Sequence, residues 1–256
     1  MKAIGIIPAR MGASRFPGKP LAPLLGIPMV GHCYHRTCLA QGLSSVYVAT
    51  CDLAIIDYIE SIGGFGVMTS SNHDRASTRT AEALNTIEEN CGEKIDVVVM
   101  VQGDEPLISP EAISCTLQHF EDSAVDIVNV MSKIGSEEDF KDHNNVKVVV
   151  NSNNDALYFS REPIPSPWKG WQHLPRYMQT GIIAFRREAL LRFNAMEETA
   201  LERYESIDMN RVLEMGGAIR MVLIDDLTIG VDTPDELKEA ELRLLTDTTF
   251  TRYGDL

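Results

Sequence analysis

The sequence predicts an α/β fold: a single domain over residues 1–256 with a mainly parallel sheet, helices on both faces and a smaller strand-rich subdomain around residues 145–215. Short apolar runs rich in β-branched residues alternate with longer amphipathic stretches, which is typical of strand-helix-strand units. The run VVVMV at 97–101 is apolar on both faces, as a central parallel strand requires. Beyond residue 145, strand-like segments follow one another more closely, which indicates the subdomain.

The elements follow from these patterns in order along the chain. Strands are predicted where four to six mostly apolar, often β-branched residues stand together, at 3–8, 46–50, 97–101, 127–131, 146–150, 156–159, 181–185, 219–223 and 228–231. Helices are predicted where apolar residues recur every three or four positions, at 29–41, 54–62, 76–89, 110–120, 187–193, 204–214 and 234–245. Residues 162–175 hold four prolines and both tryptophans, so we interpret them as an active-site lid or a subunit contact.

Charge and composition exclude several classes of function. The 37 acidic and 23 basic residues give a net charge of -14, which argues against binding to nucleic acid or an anionic membrane. No apolar run approaches the roughly 20 residues of a membrane span, and the N-terminus lacks the apolar core of a signal peptide. The five cysteines show no Cys-x-x-Cys spacing. We therefore expect a cytoplasmic protein with reduced thiols and no membrane insertion.

A basic, glycine-containing loop follows the first predicted strand. Residues 7–21 read IPARMGASRFPGKPL and place Arg10, Arg15 and Lys19 within ten positions. Glycines let backbone amides approach a ligand closely, and clustered cations neutralise phosphate charge. The spacing is not that of a Walker A loop. The loop therefore predicts a polyphosphate site.

Two aspartates stand just beyond predicted strands. Asp104 follows the strand 97–101 and Asp232 follows the strand 228–231. Parallel α/β sheets bind ligands beyond the carboxyl ends of their strands, so the two carboxylates are expected to converge on one Mg²⁺. The alternative for Asp232, which precedes Thr233 and Pro234, is a helix-capping or turn residue.

Several sequence blocks extend this interpretation to a family. The basic loop, VQGDEP at 101–106, NVKV at 145–148, ALYFSR at 156–161 and GVDTP at 230–234 occur in the order found in one enzyme family. The chain resembles the cytidylyltransferases that activate 3-deoxy-manno-octulosonate (Kdo) as its CMP-sugar. The resemblance implies a nucleotide-diphospho-sugar transferase-like fold and a homodimer. It also implies Mg²⁺-dependent transfer from CTP to an acidic sugar, with release of pyrophosphate.

The resemblance also implies roles for individual residues. The catalytic set is Arg10, Arg15, Lys19 and Asp104, and the metal ligands are Asp104 and Asp232. Nucleotide contacts are implied for Pro8, Ala9, Arg10, Ser14, Arg15, Lys19, Ser70, Arg79 and Gln102. Sugar contacts are implied for Gln102, Arg161, Gln179, Ile183, Asp208 and Met209.

The departures from the family pattern concentrate in the sugar half. Gln179 and Ile183 stand where the family has His and Tyr, and Asp208 and Met209 stand where it has Glu and Gln. Ser70 stands where the family has an Arg near the base. Three hypotheses follow: a Kdo enzyme, an enzyme for a modified Kdo such as the 8-amino sugar or another capsule or surface-polysaccharide acceptor, and a nucleotide-binding protein without turnover.

Overall fold

The computed structural model describes residues 1–12, 16–225 and 229–254. Its strands are β1 (Ala3–Pro8), β2 (Pro23–Leu24), β3 (Ile27–Pro28), β4 (Ser45–Thr50), β5 (Phe65–Met68), β6 (Val97–Val101), β7 (Ile127–Lys133), β8 (Lys147–Val150), β9 (Ala156–Ser160), β10 (Tyr177–Arg186) and β11 (Arg220–Ile224). Its α-helices are α1 (Met29–Cys38), α2 (Leu53–Ser61), α3 (Ala76–Cys91), α4 (Pro110–Gln118), α5 (Glu137–Lys141), α6 (Arg187–Ala195), α7 (Ala200–Glu205), α8 (Met209–Glu214) and α9 (Pro234–Leu244).

The central sheet has the strand order β11-β7-β10-β6-β1-β4-β5, with β8 and β9 attached beside β10. Strands β6, β1, β4 and β5 are parallel neighbours, and β11 is parallel to β7. Strand β10 is antiparallel to both β6 and β7. The prediction of a mainly parallel α/β sheet is confirmed. The sheet is mixed because β10 is antiparallel to β6, β7 and β8, and β8 is antiparallel to β9.

Helices cover both faces of the sheet, as predicted. On one face, Leu84 of α3 and Leu190 of α6 pack in the same core as Ile4 and Ile6 of β1. On the other face, α1, α2 and α4 contribute to a second core. All five residues of β6 are buried, which agrees with a strand covered on both sides. No helix in these described ranges is long and apolar enough to cross a membrane.

Three local predictions differ from the structure. The helix predicted at 204–214 is interrupted, because Ser206 adopts a left-handed conformation with φ 55° and ends α7. Residues 229–231, the described part of the last predicted strand, are irregular. Strand β5 lies outside the predicted strands: it is only four residues long, contains Gly66, and lies at the sheet edge with Phe65 and Met68 exposed.

A buried ion pair fixes the segment between α6 and α8. Arg211 donates from Nε and Nη2 to the two carboxylate oxygens of Glu202, over 2.7 and 2.6 Å. Its Nη1 donates to the carbonyls of Phe193 and Met196. Glu202 is 0% exposed, so each charge depends on the other for compensation. The pair holds the turn that carries Asp208, one of the predicted sugar contacts.

We expect Arg211→Met to lower the free energy of unfolding by about 3–5 kcal/mol, because it leaves a buried carboxylate without its partner. Urea unfolding followed by circular dichroism measures the change. The matched control is Arg192→Met, since the pair between Arg192 and Asp126 has the same 2.6 Å separation but is largely exposed. That control should cost at most about 1 kcal/mol. Equal losses in the two variants would contradict the role assigned to burial.

Candidate active site

A cleft of about 280 Å³ lies beyond the ends of β1 and β6. We call it the basic cleft because its described lining holds four cationic side chains, against three carboxylates, in a chain of net charge -14. Its lining is Pro8, Ala9, Arg10, Gly12, Phe16, Lys19, Pro20, His73, Asp74, Arg75, Ala76, Arg79, Gln102, Gly103, Asp104 and Asp232. The cleft therefore offers a locally positive environment where the sequence predicts a polyphosphate.

The loop after β1 is held by hydrogen bonds that two of its backbone amides donate. The amide of Met11 donates to Asp52 Oδ2 over 2.8 Å, and the amide of Gly18 donates to the Met11 carbonyl over 3.0 Å. Gly18 has φ 79°, a left-handed conformation that glycine adopts at little cost. These bonds bring the chain back to the carboxyl ends of β1 and β6, so Lys19 lies in the basic cleft.

Lys19 lies between the two predicted metal carboxylates. Its Nζ donates to Asp104 Oδ2 over 2.7 Å, to Asp232 Oδ1 over 2.8 Å and to the Val231 carbonyl over 3.0 Å. Burial would lower the pKa of Lys19, but Asp104 and Asp232 outweigh burial and raise it above the ordinary lysine value. The three residues form a charged cluster at the point where the sequence placed catalysis and metal binding.

Asp232 reaches this cluster through the start of α9. The Val231 amide donates to the Asp104 carbonyl over 2.8 Å, and the Asp232 amide donates to Glu236 Oε2 over 2.7 Å. Thr233 is the N-cap residue of α9 and forms a capping box with Glu236. The cap is therefore Thr233, which leaves the Asp232 carboxylate directed at Lys19.

The N-terminus of α3 forms the opposite wall of the basic cleft. Arg75, the N-cap residue, makes no side-chain cap hydrogen bond, and Arg75, Ala76 and Arg79 line the cleft. Arg79 is 3% exposed and donates to Thr69 Oγ1 over 2.5 Å and to the Ser70 carbonyl over 3.2 Å. Amides at a helix N-terminus favour anions, so this wall suits phosphate oxygens.

A second cleft of about 490 Å³ adjoins the first and shares Gln102 and Asp232 with it. We call it the acidic cleft, because two cations, Lys133 and Arg243, stand in its lining against seven carboxylates. Those carboxylates belong to Glu105, Asp139, Asp142, Asp208, Asp232, Glu236 and Glu239. The arrangement gives neighbouring clefts with opposite charge.

Three of the predicted sugar contacts besides Gln102 line the acidic cleft: Gln179, Ile183 and Asp208. Burial raises the pKa of the Asp208 carboxyl, although a 3.1 Å hydrogen bond from Ser77 opposes the rise. Gln179 Oε1 is buried and has no hydrogen-bond partner within the ranges that the structure describes. A ligand that donates a hydrogen bond there would satisfy a buried acceptor.

Other predicted contacts lie elsewhere. Met209 is 0% exposed and packs in the core. The Arg161 guanidinium donates hydrogen bonds to the carbonyls of Glu205 and His143, each over 2.8 Å. Ser70 is outside the lining of the basic cleft and instead accepts a hydrogen bond from Arg79. None of these three residues lines either cleft, and their contacts with a ligand stay predictions. Ser14 and Arg15 lie outside the described residues.

Sequence reasoning missed Arg75 and the junction between the clefts. At this junction the Gly181 amide donates to Glu105 Oε1 over 2.6 Å, and the Gln102 amide donates to the Gly181 carbonyl over 2.9 Å. A Cβ on Gly181 would lie 2.5 Å from Gln102 Cγ and from Glu105 Oε1. A glycine inside a strand often marks such a close approach, so this signal was present in the sequence.

Comparisons with known proteins identify the family of this chain. The sequence profile of the cytidylyltransferase family matches residues 4–222. A 3-deoxy-manno-octulosonate cytidylyltransferase of Trichlorobacter lovleyi is 39% identical over 255 residues, covering 95% of this chain and 99% of that protein. A protein of the same name from Parabacteroides distasonis is 39% identical over 251 residues, covering 94% and 97%.

Solved structures extend the comparison to the fold. A CMP:2-keto-3-deoxy-manno-octonic acid synthetase complexed with CTP aligns with a TM-score of 0.88 at 34% identity, covering 96% of this chain and 99% of that chain. A cytidylyltransferase from Leptospira borgpetersenii aligns with a TM-score of 0.65 at 16% identity, covering 96% and 88%, and supports the fold alone. The basic cleft, its carboxylate pair and these matches together show that the chain belongs to the cytidylyltransferase family and is a nucleotidyltransferase.

Proposed function

We propose that this enzyme transfers CMP from CTP to a hydroxyl of Kdo, giving CMP-Kdo and pyrophosphate. The observation that carries the proposal is the convergence of Lys19, Asp104 and Asp232 in the basic cleft, at its boundary with the acidic cleft. The names of the relatives from Trichlorobacter lovleyi and Parabacteroides distasonis support Kdo as the acceptor. A triphosphate bound in the basic cleft would face an acceptor bound in the acidic cleft.

The triphosphate is held by charge and by backbone amides. Arg10, whose guanidinium is about half exposed, and Lys19 supply positive charge, and the N-terminus of α3 supplies amide donors. Phosphoryl transfer depends mainly on positioning and charge neutralisation, so no covalent nucleophile is needed. These groups lower the barrier by stabilising the charge that develops on the departing pyrophosphate.

The carboxylate pair fits Mg²⁺. Asp104 and Asp232 bring one oxygen each to within 2.8 Å of a single nitrogen atom, so both reach one point from distant parts of the sequence. Mg²⁺ is commonly bound by one or two carboxylates, waters and substrate phosphate oxygens. Within the described residues no group of three or more His, Cys, Asp or Glu side chains forms a complete metal cage. When bound, Mg²⁺ would neutralise phosphate charge at this point.

The acceptor hydroxyl attacks the α-phosphorus in line, the bond from that phosphorus to the pyrophosphate oxygen breaks, and the hydroxyl proton is released to solvent. Gln102 lines both clefts and therefore lies where the acceptor and the α-phosphate would meet. The Gly181 carbonyl accepts the hydrogen bond that fixes the Gln102 backbone, over 2.9 Å. In the acidic cleft, the carboxylate of an acidic sugar would compete with Asp225 for Lys133 and with Glu239 for Arg243, the two cations of the described lining.

A second candidate acceptor is a Kdo-like sugar that carries an amino substituent, such as the 8-amino sugar. The seven carboxylates of the acidic cleft favour a cationic group over a neutral hydroxyl. The buried Gln179 Oε1 accepts hydrogen bonds, and an ammonium group has three donors to offer. The family His and Tyr at positions 179 and 183, where this chain has Gln and Ile, would give a more cationic and more polar pocket.

Two further parts of the proposal concern assembly and location. We propose a homodimer that uses the proline-rich segment 162–175, where Trp168 is 86% exposed. We also propose that the enzyme works in the cytoplasm, where CTP is made.

Pyrophosphate release with CTP and an acidic sugar separates the enzyme from the competing hypothesis, a nucleotide-binding protein without turnover.

Substitution of the carboxylate pair tests the reaction site. We expect Asp104→Asn and Asp232→Asn each to lower turnover at saturating Mg²⁺ at least a hundredfold, because each removes a charge that holds the metal. Steady-state pyrophosphate release measures the loss, and thermal melting checks folding. Asp126→Asn, on an exposed surface pair, is the control and should retain full turnover. Near-normal turnover in either variant removes that aspartate from the mechanism.

An acceptor panel tests the sugar. Kdo, 8-amino-Kdo and sialic acid are compared by kcat/KM at fixed CTP. If the acidic cleft selects an ammonium group, the amino sugar should exceed Kdo about tenfold or more, and Gln179→His should shift the preference back towards Kdo. Ile183→Val, which keeps the pocket apolar, is the matched control and should leave the ratio unchanged. A preference for Kdo in the unsubstituted enzyme decides for the plain Kdo reaction.

A further inference from the structure

We infer that Lys19 is a resident counter-ion for the carboxylate pair, so that divalent metal binds tightly only after a triphosphate has drawn the Lys19 ammonium away. This inference rests on the proposed function for the identity of the triphosphate. It predicts that binding of the metal and binding of the nucleotide strengthen each other. Neither the charge of the loop nor the carboxylates alone would produce this coupling.

Lys19 directs all of its hydrogen-bond donors to the protein. An ammonium group has three N–H donors. Lys19 Nζ directs them to Asp104 Oδ2, Asp232 Oδ1 and the Val231 carbonyl, at 2.7, 2.8 and 3.0 Å. The Lys19 side chain is only 12% exposed. In this arrangement its donors are committed to the protein, so a phosphate oxygen can recruit Lys19 only by replacing these bonds.

The ammonium group of Lys19 and a metal ion compete for one position. Carboxylate oxygens bind Mg²⁺ at about 2.0–2.1 Å, which requires the cation to lie between Asp104 and Asp232. Lys19 Nζ already lies between them, within 2.8 Å of both. Two positive ions at that point would repel each other strongly in a partly buried site. Metal entry therefore requires the ammonium to leave.

A triphosphate in the basic cleft would offer the Lys19 ammonium group an alternative partner. Lys19 begins a short 3-10 turn, Lys19–Leu21, and its side chain is a flexible stem with a compact charge. A triphosphate held by the basic cleft presents several anionic oxygens to it. Exchange then keeps every charge compensated, because Lys19 pairs with phosphate while the metal pairs with the carboxylates. By linkage, the metal must in turn strengthen binding of the triphosphate.

The test is metal binding without nucleotide or sugar. Nucleotide-free protein is titrated with MnCl₂, and free Mn²⁺ is followed by electron paramagnetic resonance. We expect Lys19→Met and Lys19→Gln to bind Mn²⁺ about tenfold or more tightly than the unsubstituted chain, because they remove the competing charge. Lys19→Arg keeps the charge and should stay within about threefold of the unsubstituted chain. Lys141→Met, at a lysine that is 70% exposed, is the surface control.

Two further measurements make the result decisive. Asp104→Asn/Asp232→Asn defines the background of Mn²⁺ binding elsewhere on this acidic chain, and the gain from Lys19→Met must disappear in that background. Thermal melting identifies any variant that does not fold, and the two neutral variants provide independent readings. If both neutral variants bind Mn²⁺ no more tightly than the unsubstituted chain, the inference is overturned. Failure of the proposed function would appear separately, as absent pyrophosphate release from CTP.

Discussion

The structure of the site depends on one electrostatic constraint, the meeting of two carboxylates around a single ammonium group. Asp104 and Asp232 come from distant parts of the sequence, and like charges this close are unfavourable unless a cation lies between them. Lys19 is that cation. The loop hydrogen bond donated by the Gly18 amide positions Lys19. The bond from the Val231 amide to the Asp104 carbonyl and the capping box of α9 position Asp232 beside Asp104.

The same cluster divides the molecule into two clefts of opposite charge. On one side, Arg10, Arg75 and the start of α3 create positive potential in a chain whose net charge of -14 would otherwise repel a triphosphate. On the other side, carboxylates dominate the lining. The antiparallel strand β10 makes the division possible, because it inserts beside β6 and brings Gly181 against Gln102.

Much of this arrangement could be predicted from the sequence, and the exceptions have physical reasons. Asp104 follows a strand whose burial is visible in its composition. Asp232 was expected after a strand, yet its position comes from a helix cap and one backbone hydrogen bond, which no periodicity reveals. Asp208 and Met209 are adjacent, but successive residues near a helix start point about 100° apart. One therefore lines the acidic cleft while the other is buried in the core.

Under the proposed function, charge alone does not determine which acceptor the acidic cleft would select. Burial raises the pKa of the Asp208 carboxyl, although the hydrogen bond from Ser77 opposes the rise. Hydrogen-bond matching adds discrimination, because a buried acceptor such as Gln179 Oε1 is costly to leave unsatisfied. A site of this kind rejects a ligand that lacks the matching donor more strongly than an apolar pocket rejects a ligand of the wrong size. Selectivity in this family member is therefore expected to follow from donors on the acceptor, with the surrounding carboxylates setting the preferred sign of its charge.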